Sequence, residues 1–202
     1  MTIPSSEAIR FQAKVRDLSQ QGLGVVDHPD QRVFFVSGVF PGDAGEFEIV
    51  REKKRYGFAR VIQLHEKSTH RTLAQCPYQG FESGQCGGCS WMGMNYSAQL
   101  HYKDHLIRHQ FERAQVEAHI DSIFPCSKEL GYRNRAQFKT DGERLGFVGY
   151  RSRVLVDVED CLVLNSGCRQ TLQKLRSQLP NLKWKPTKAV SYTHLTLPTM
   201  EL

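Results

Sequence analysis

The stretch Val33-Phe34-Phe35-Val36-Ser37-Gly38-Val39-Phe40-Pro41-Gly42-Asp43-Ala44-Gly45-Glu46-Phe47-Glu48-Ile49-Val50 decides how the first third of this chain folds. Its first four residues are β-branched or aromatic, the composition of a strand. Phe40-Pro41-Gly42-Asp43 reads as a turn, because Pro presets φ and Gly takes positive φ freely. Glu46-Phe47-Glu48-Ile49-Val50 then alternates as a half-buried strand does. Upstream, Phe11-Gln12-Ala13-Lys14-Val15 also alternates, and Gln21-Gly22-Leu23-Gly24 breaks the backbone before Val25-Val26. Downstream, Tyr56-Gly57-Phe58-Ala59-Arg60-Val61-Ile62 closes the series. Short strands at close spacing with Gly and Pro between them predict a small β-barrel from about Phe11 to Leu64.

The remainder mixes helix and strand. Ser97 to about Val116 has helical spacing, with Ser97 as N-cap and Leu100, Ile107, Phe111 and Ala114 on one face. Lys103, Arg108, His109 and Arg113 make much of its other surface basic. Asp141-Gly142 between Tyr132–Lys139 and Leu145–Tyr150 is a hairpin signal. A third strand, Val154 to Val158, leads to Cys161, and Asn165 or Ser166 caps a short helix through Leu172, Leu175 and Leu179. From about Val190 charge almost vanishes and neither helical nor strand patterning continues. That string, Ser191-Tyr192-Thr193-His194-Leu195-Thr196-Leu197-Pro198-Thr199, resembles translated sequencing-adapter read-through, so residues 190–202 are expected to be non-native.

The chain has 202 residues, is 40% hydrophobic and 24% charged, and carries a net charge of +6. These values suit a soluble globular protein, and the basic balance favours a polyanionic partner such as nucleic acid. No apolar run approaches the ~20 residues that cross a bilayer. Residues 1–7 have no basic and apolar leader pattern, so no export and no membrane partner are expected. Six cysteines in such a chain are expected to stay reduced, which favours metal, cluster or plain thiols over disulfides.

Three of those cysteines, Cys76, Cys86 and Cys89, sit in a Gly-rich loop. A fourth, Cys161, ends the strand-like run Val154-Leu155-Val156-Asp157-Val158-Glu159-Asp160. Thiolates are soft ligands that suit iron–sulfur clusters and zinc. Gly80, Gly84, Gly87 and Gly88 let the loop wrap closely and aim N–H groups at sulfur. The spacing leaves open an iron–sulfur cluster, a four-cysteine zinc site and no metal at all. Zinc ribbons show two close Cys pairs, whereas here the fourth ligand stands alone. Cys126 and Cys168 fit neither end of the pattern and are read as buried thiols.

Two basic segments stand out. Lys53, Lys54 and Arg55 precede Tyr56 and Phe58, a mixture that suits single-stranded RNA, with phosphates neutralised and bases stacked. Arg133, Asn134 and Arg135 form a second cluster at a strand start, with Arg151 and Arg153 beyond the hairpin. A solvated turn or sheet face is the simpler reading of each segment taken alone. His101, His105 and His109 lie at helical spacing, but a polar stripe explains them without metal. There is no Gly-x-Gly-x-x-Gly, no P-loop and no complete catalytic site.

Motif order adds a resemblance. Leu18-Ser19-Gln20-Gln21-Gly22-Leu23-Gly24-Val25, Val33 to Asp43, and Lys53-Lys54-Arg55-Tyr56-Gly57-Phe58-Ala59 resemble a TRAM domain, an OB-like RNA-binding barrel. With the Cys76–Cys89 loop, Tyr132-Arg133-Asn134-Arg135 and Asp157-Val158-Glu159-Asp160-Cys161, the chain is similar to the ribosomal RNA uracil-C5 methyltransferases up to about Lys188. The resemblance implies a β-rich N-terminal TRAM barrel over 1–68 and a truncated central α+β domain over 69–189. It implies that Cys76, Cys86, Cys89 and Cys161 bind a 4Fe–4S cluster. The Cys76–Cys86 spacing is a few residues longer than the common family version, which loop entropy tolerates.

The family chemistry uses a cysteine that adds to uracil C6, S-adenosylmethionine as methyl donor, and a base that removes the C5 proton. The target base is flipped out first. In the family those residues belong to a C-terminal Rossmann-like domain. The chain is therefore expected to be the N-terminal part of such an enzyme, with no catalytic or S-adenosylmethionine-binding residue of its own. Its expected partner is ribosomal RNA, contacted through Lys53, Lys54, Arg55, Tyr56, Phe58, Arg133, Asn134 and Arg135, in a cytoplasmic monomer. The competing class is a non-enzymatic TRAM-type RNA-binding protein with a four-cysteine zinc site. A tRNA uracil methyltransferase is disfavoured, because tRNA enzymes of this fold generally lack both TRAM domain and cluster.

Overall fold

In the computed structural model, residues 9–181 and the backbone of Thr193–Thr196 are described. The chain divides into two compact units, Met1–Ala74 with Ser90–Phe124, and Gln75–Cys89 with Pro125–Leu202. This partition differs from a boundary at 68/69, since the helix after the cysteine loop groups with the barrel.

The first unit holds five strands: β1 (Arg10–Leu18), β2 (Gly24–Asp27), β3 (Val33–Val36), β4 (Ala44–Glu52) and β5 (Tyr56–Glu66). They close a barrel in the order β1-β2-β3-β5-β4, with β3 and β5 parallel and the other pairs antiparallel. The two-residue period sends Phe11, Val15, Val26, Phe34, Val36, Phe47 and Ala59 into one core. Phe34 and Phe47 are fully buried, each worth about 2–3 kcal/mol of transfer free energy.

The Phe40–Asp43 turn forms as read, and Asp43 does more than end it. Its buried carboxylate accepts from the Phe40 N–H at 2.6 Å and the Ser68 N–H at 2.8 Å. It also takes two donors from Arg71, each at 2.7 Å. Arg71 in turn lies 4.9 Å from the Phe40 ring centroid, so the segment after β5 is clasped to the turn.

Helix α1 (Tyr96–Arg113) is capped by Asn95, whose side chain accepts from the Ala98 N–H at 2.9 Å. This corrects Ser97 as the cap; the Ser97 hydroxyl instead donates to the Asn95 side chain. Leu18, Phe40, Met94 and Ala98 make a second small core, flanked by Trp91 and Tyr102. Ile107 and Phe111, expected on the packing face, are exposed. The helix packs through Ala98 and Tyr102, which lie on roughly the opposite side from the expected face.

The second unit contains β6 (Arg135–Thr140), β7 (Leu145–Val148), β8 (Leu155–Asp157), α2 (Ser166–Gln178) and a short 3-10 turn at Leu179–Asn181. The hairpin signal is met: Gly142 has φ 99° and the Asp141 side chain accepts from the Glu143 and Arg144 N–H groups. Asn165 caps α2 by accepting from the Cys168 N–H at 2.9 Å. Phe138, Leu145, Leu164, Cys168, Leu172 and Leu179 form the core. Strand β9 (Thr193–Thr196) pairs antiparallel with β6, giving the order β8-β7-β6-β9. That strand lacks alternation in sequence, but an open sheet edge offers main-chain partners whatever the side chains. The rest of the expected 190–202 tail lies outside the described residues, as do residues 1–8.

Candidate metal centre and nucleic-acid interface

All four cysteines of the predicted site belong to the second unit. The loop is ordered by its own backbone. The Gln79 N–H donates to the Cys76 carbonyl, and the Cys86 N–H donates to the Tyr78 carbonyl at 2.7 Å. Gly87 is required for space, since a Cβ there would stand 2.4 Å from Tyr150 Cβ. Gly84 is required for conformation, with φ 83°. The Tyr78 hydroxyl accepts from the Glu159 N–H at 3.3 Å, which ties the loop to the segment that carries Cys161.

Cys76, Cys86 and Cys161 each act electrostatically on the Cys89 thiol. All are free and none is fully exposed. Burial pushes the Cys89 thiol up to about 11, and the nearby Cys161, Cys86 and Cys76 add to the shift. The positive charge of Arg133 opposes it. Burial also raises Cys161, while main-chain hydrogen bonds from Val163 and Leu164 pull it back down. Arg169 carries a raised pKa, chiefly through its hydrogen bonds to Asp160, and Cys161 adds a smaller attraction. Among the described residues, no group of three or more His, Cys, Asp or Glu side chains is drawn together as a metal-holding set.

Cys168 is buried beside Leu172, as expected of a plain core thiol. Cys126 is exposed, which corrects its reading as buried; the strand-free stretch 116–132 around it supplies almost no core.

The expected RNA contacts separate into two sets. Lys53, Lys54 and Arg55 are exposed in the turn between β4 and β5. Lys53 Nζ lies 5.0 Å from the Tyr56 ring centroid and 2.8 Å from its hydroxyl. Tyr56 and Phe58 point away from the barrel core, with ring centroids 6.0 Å apart. Sequence reading missed Phe35, which joins them at 5.9 and 6.0 Å. Period two could have found it, since buried Phe34 and Val36 force Phe35 outward. Arg133, Asn134 and Arg135 are exposed at the start of β6, in the other unit. Arg133 is also held by its main chain, which bonds to Val163 and Asn165. The sequence did not reveal Arg169 or the Val163 and Leu164 N–H groups, because their approach to Cys161 depends on how the turn into α2 folds.

No family model matches the chain. An uncharacterized RNA methyltransferase of Nitrosomonas europaea is 42% identical over 194 residues, covering 93% of this chain and 49% of that protein. The 23S rRNA (uracil(1939)-C(5))-methyltransferase RlmD of Halomonas elongata is 30% identical over 179 residues, covering 86% of this chain and 36% of that protein.

The chain is a relative of RNA methyltransferases.

It spans about half the length of the Nitrosomonas methyltransferase and a smaller share of the Halomonas one. Among solved structures, the tRNA (uracil-54, C5)-methyltransferase of Pyrococcus abyssi, in complex with S-adenosyl-L-homocysteine, shares the fold with TM-score 0.55 and 24% identity. That likeness covers 84% of this chain and 37% of the Pyrococcus protein.

Proposed function

We propose that this chain is the RNA-engaging, cluster-bearing part of an S-adenosylmethionine-dependent enzyme that forms 5-methyluridine in 23S rRNA. The observation that carries the reading is the 42% identity to an RNA methyltransferase across 93% of the chain. Relatives named for 23S rRNA favour ribosomal over transfer RNA. The nucleophile and the methyl-donor site are assigned to the part of the relatives that this chain does not match. Neither Cys126 nor Cys168 takes a catalytic role. The barrel, over 1–68, acts as a TRAM module and 69–189 as an α+β module, within a cytoplasmic monomer.

The four thiols fit a 4Fe–4S cluster by donor chemistry. Cys76, Cys86, Cys89 and Cys161 would hold it. When bound, the cluster supplies a rigid link between the loop and the end of the β8 segment. Val163 and Leu164 N–H groups steady the Cys161 sulfur, and Arg133 and Arg169 offset thiolate charge. Lys53, Lys54 and Arg55 neutralise phosphates beside Tyr56 and Phe58, while Arg133, Asn134 and Arg135 form a second contact.

Anaerobic purification tests the cluster, which is expected to give brown protein with iron and sulfide in about equal amounts. Stoichiometric zinc without iron would instead favour a non-enzymatic RNA-binding protein. Binding to a 23S rRNA fragment is expected to fall steeply with salt. Salt-independent binding would remove the RNA reading. Methyl transfer from labelled S-adenosylmethionine by this chain alone would overturn the placement of the catalytic residues.

A further inference from the structure

Three aromatic side chains on the outside of a small barrel call for an explanation. In β3 and β5 the residues that face the core are Phe34, Val36, Gly57 and Ala59. The opposite face carries Phe35, Tyr56 and Phe58, three half-buried rings within 6.0 Å of one another. Parallel pairing sets Phe35 beside Phe58 in register. None of the three belongs to the barrel core.

The rings form one wall of a groove of about 780 Å³, whose other wall is the C-terminal half of α1, with Leu106, His109, Gln110 and Arg113. Gln20 and Gln21, from the β1–β2 loop, also line it. A second hollow of about 530 Å³ shares Gln20, Gln21, Leu106 and Gln110 with the first. It ends at Trp91, with Lys103 Nζ 6.0 Å from the indole centroid. The two hollows adjoin along those four side chains, one bearing the Phe35–Tyr56–Phe58 cluster and the other Trp91. The acid in it, Asp17, accepts the Leu18 N–H and faces His105 at 3.7 Å. Arg113, Lys103 and His109 stand along the groove, and Lys53 packs on Tyr56 at one end.

We propose that this groove takes two consecutive unstacked nucleotides of single-stranded RNA. One base stacks on the Phe35–Tyr56–Phe58 cluster and the next against Trp91. The amides of Gln20, Gln21 and Gln110 carry both donors and acceptors, as base edges require. Arg113, Lys103 and Lys53 meet the phosphates. The lining decides the occupant. An anion site would need no rings, and a duplex keeps its base faces stacked and out of reach. The proposal rests on the RNA reading above and deepens it, since Phe35, Gln20, Gln21, Trp91, Gln110 and Arg113 add a surface that the basic turn alone does not provide.

The test titrates the protein with a short mixed-sequence single-stranded oligoribonucleotide and with the same strand as a duplex. Binding is followed by anisotropy and by tryptophan emission, with Trp91→Phe to assign the signal. Single strands are expected to quench Trp91 and to bind more tightly than the duplex. Gln110→Glu removes an amide donor to the base edges and adds negative charge to an RNA-binding groove at an exposed helix position, and is expected to weaken single-strand binding about tenfold, as is Phe35→Leu, which removes the stacking face. Circular dichroism confirms that each variant is folded. If the protein binds single strand and duplex equally, with Trp91 silent and both variants at wild-type affinity, the groove is overturned while RNA binding stands. If it binds neither, the RNA reading falls and the groove with it.

Discussion

Asp43 shows how much one side chain can hold. It is fully buried, and its carboxylate satisfies two main-chain N–H groups and the Arg71 guanidinium at 2.6 to 2.8 Å. Breaking a buried pair leaves the other charge uncompensated, which costs more than the pair contributes over an apolar replacement. Asp43→Asn is therefore expected to destabilise the first unit by about 3 kcal/mol, measured by urea unfolding of the wild type and variant. A loss below about 1 kcal/mol would mean that Arg71 finds water instead. The turn around Asp43 was legible because Pro41 and Gly42 have local conformational preferences. Its partner Arg71 was not, because a contact across 28 residues depends on where β5 ends. The four cysteines could be picked out as a candidate set from type and spacing, whereas the N–H groups at Cys161 and the cation at Arg169 arise only from the folded turn.

At the scale of elements, both helices start at an asparagine. Asn95 and Asn165 each accept from the third residue onward, at 2.9 Å. For α2 the sequence left the cap as Asn165 or Ser166, and the folded chain uses Asn165. For α1 it was misplaced by two residues, because Ser97 has the right chemistry and only the chain's path selects Asn95. The apolar face of α1 was misread for a related reason. Helical periodicity says which residues share a face, but the face that is covered is chosen by the barrel beside it. The strands were easier, because alternation and Gly/Pro punctuation act over a few residues. Asn165→Ala is expected to cost about 1 kcal/mol, and more at this site than Ser166→Ala, since the α2 cap orders the turn that follows Cys161. Thermal melts of the two variants check this; equal small losses would show that the cap is dispensable.

For the whole molecule, the second unit poses the question of what stabilises it. Among its described residues the main buried cluster holds six side chains, and its cysteine loop is made mostly of turns. A centre that joined Cys89 to Cys161 would close a loop of 161 − 89 = 72 residues. Closing a loop of that length removes unfolded-state entropy worth about 4 kcal/mol. The thiols themselves set a pH dependence of opposite sign in the stripped and loaded forms. Burial raises the Cys89 thiol from 9.0 to about 11, so the stripped fold binds that proton more tightly than the unfolded chain does. The resulting stability is present below about pH 9 and is lost as pH rises towards 11. A bound centre uses the thiolate, so loading improves over the same range. Chelation of iron from anaerobic protein is therefore expected to lower hydrogen-exchange protection in β6–β8 and α2 by roughly three orders of magnitude, the equivalent of about 4 kcal/mol. Protection in β1–β5 is expected to stay unchanged. The stripped protein should lose further protection in the second unit between pH 9 and 11, and Cys89→Ser should reduce that added loss. Unchanged protection after iron removal would show that the four thiols do not hold this unit together, and the cluster would lose its structural role.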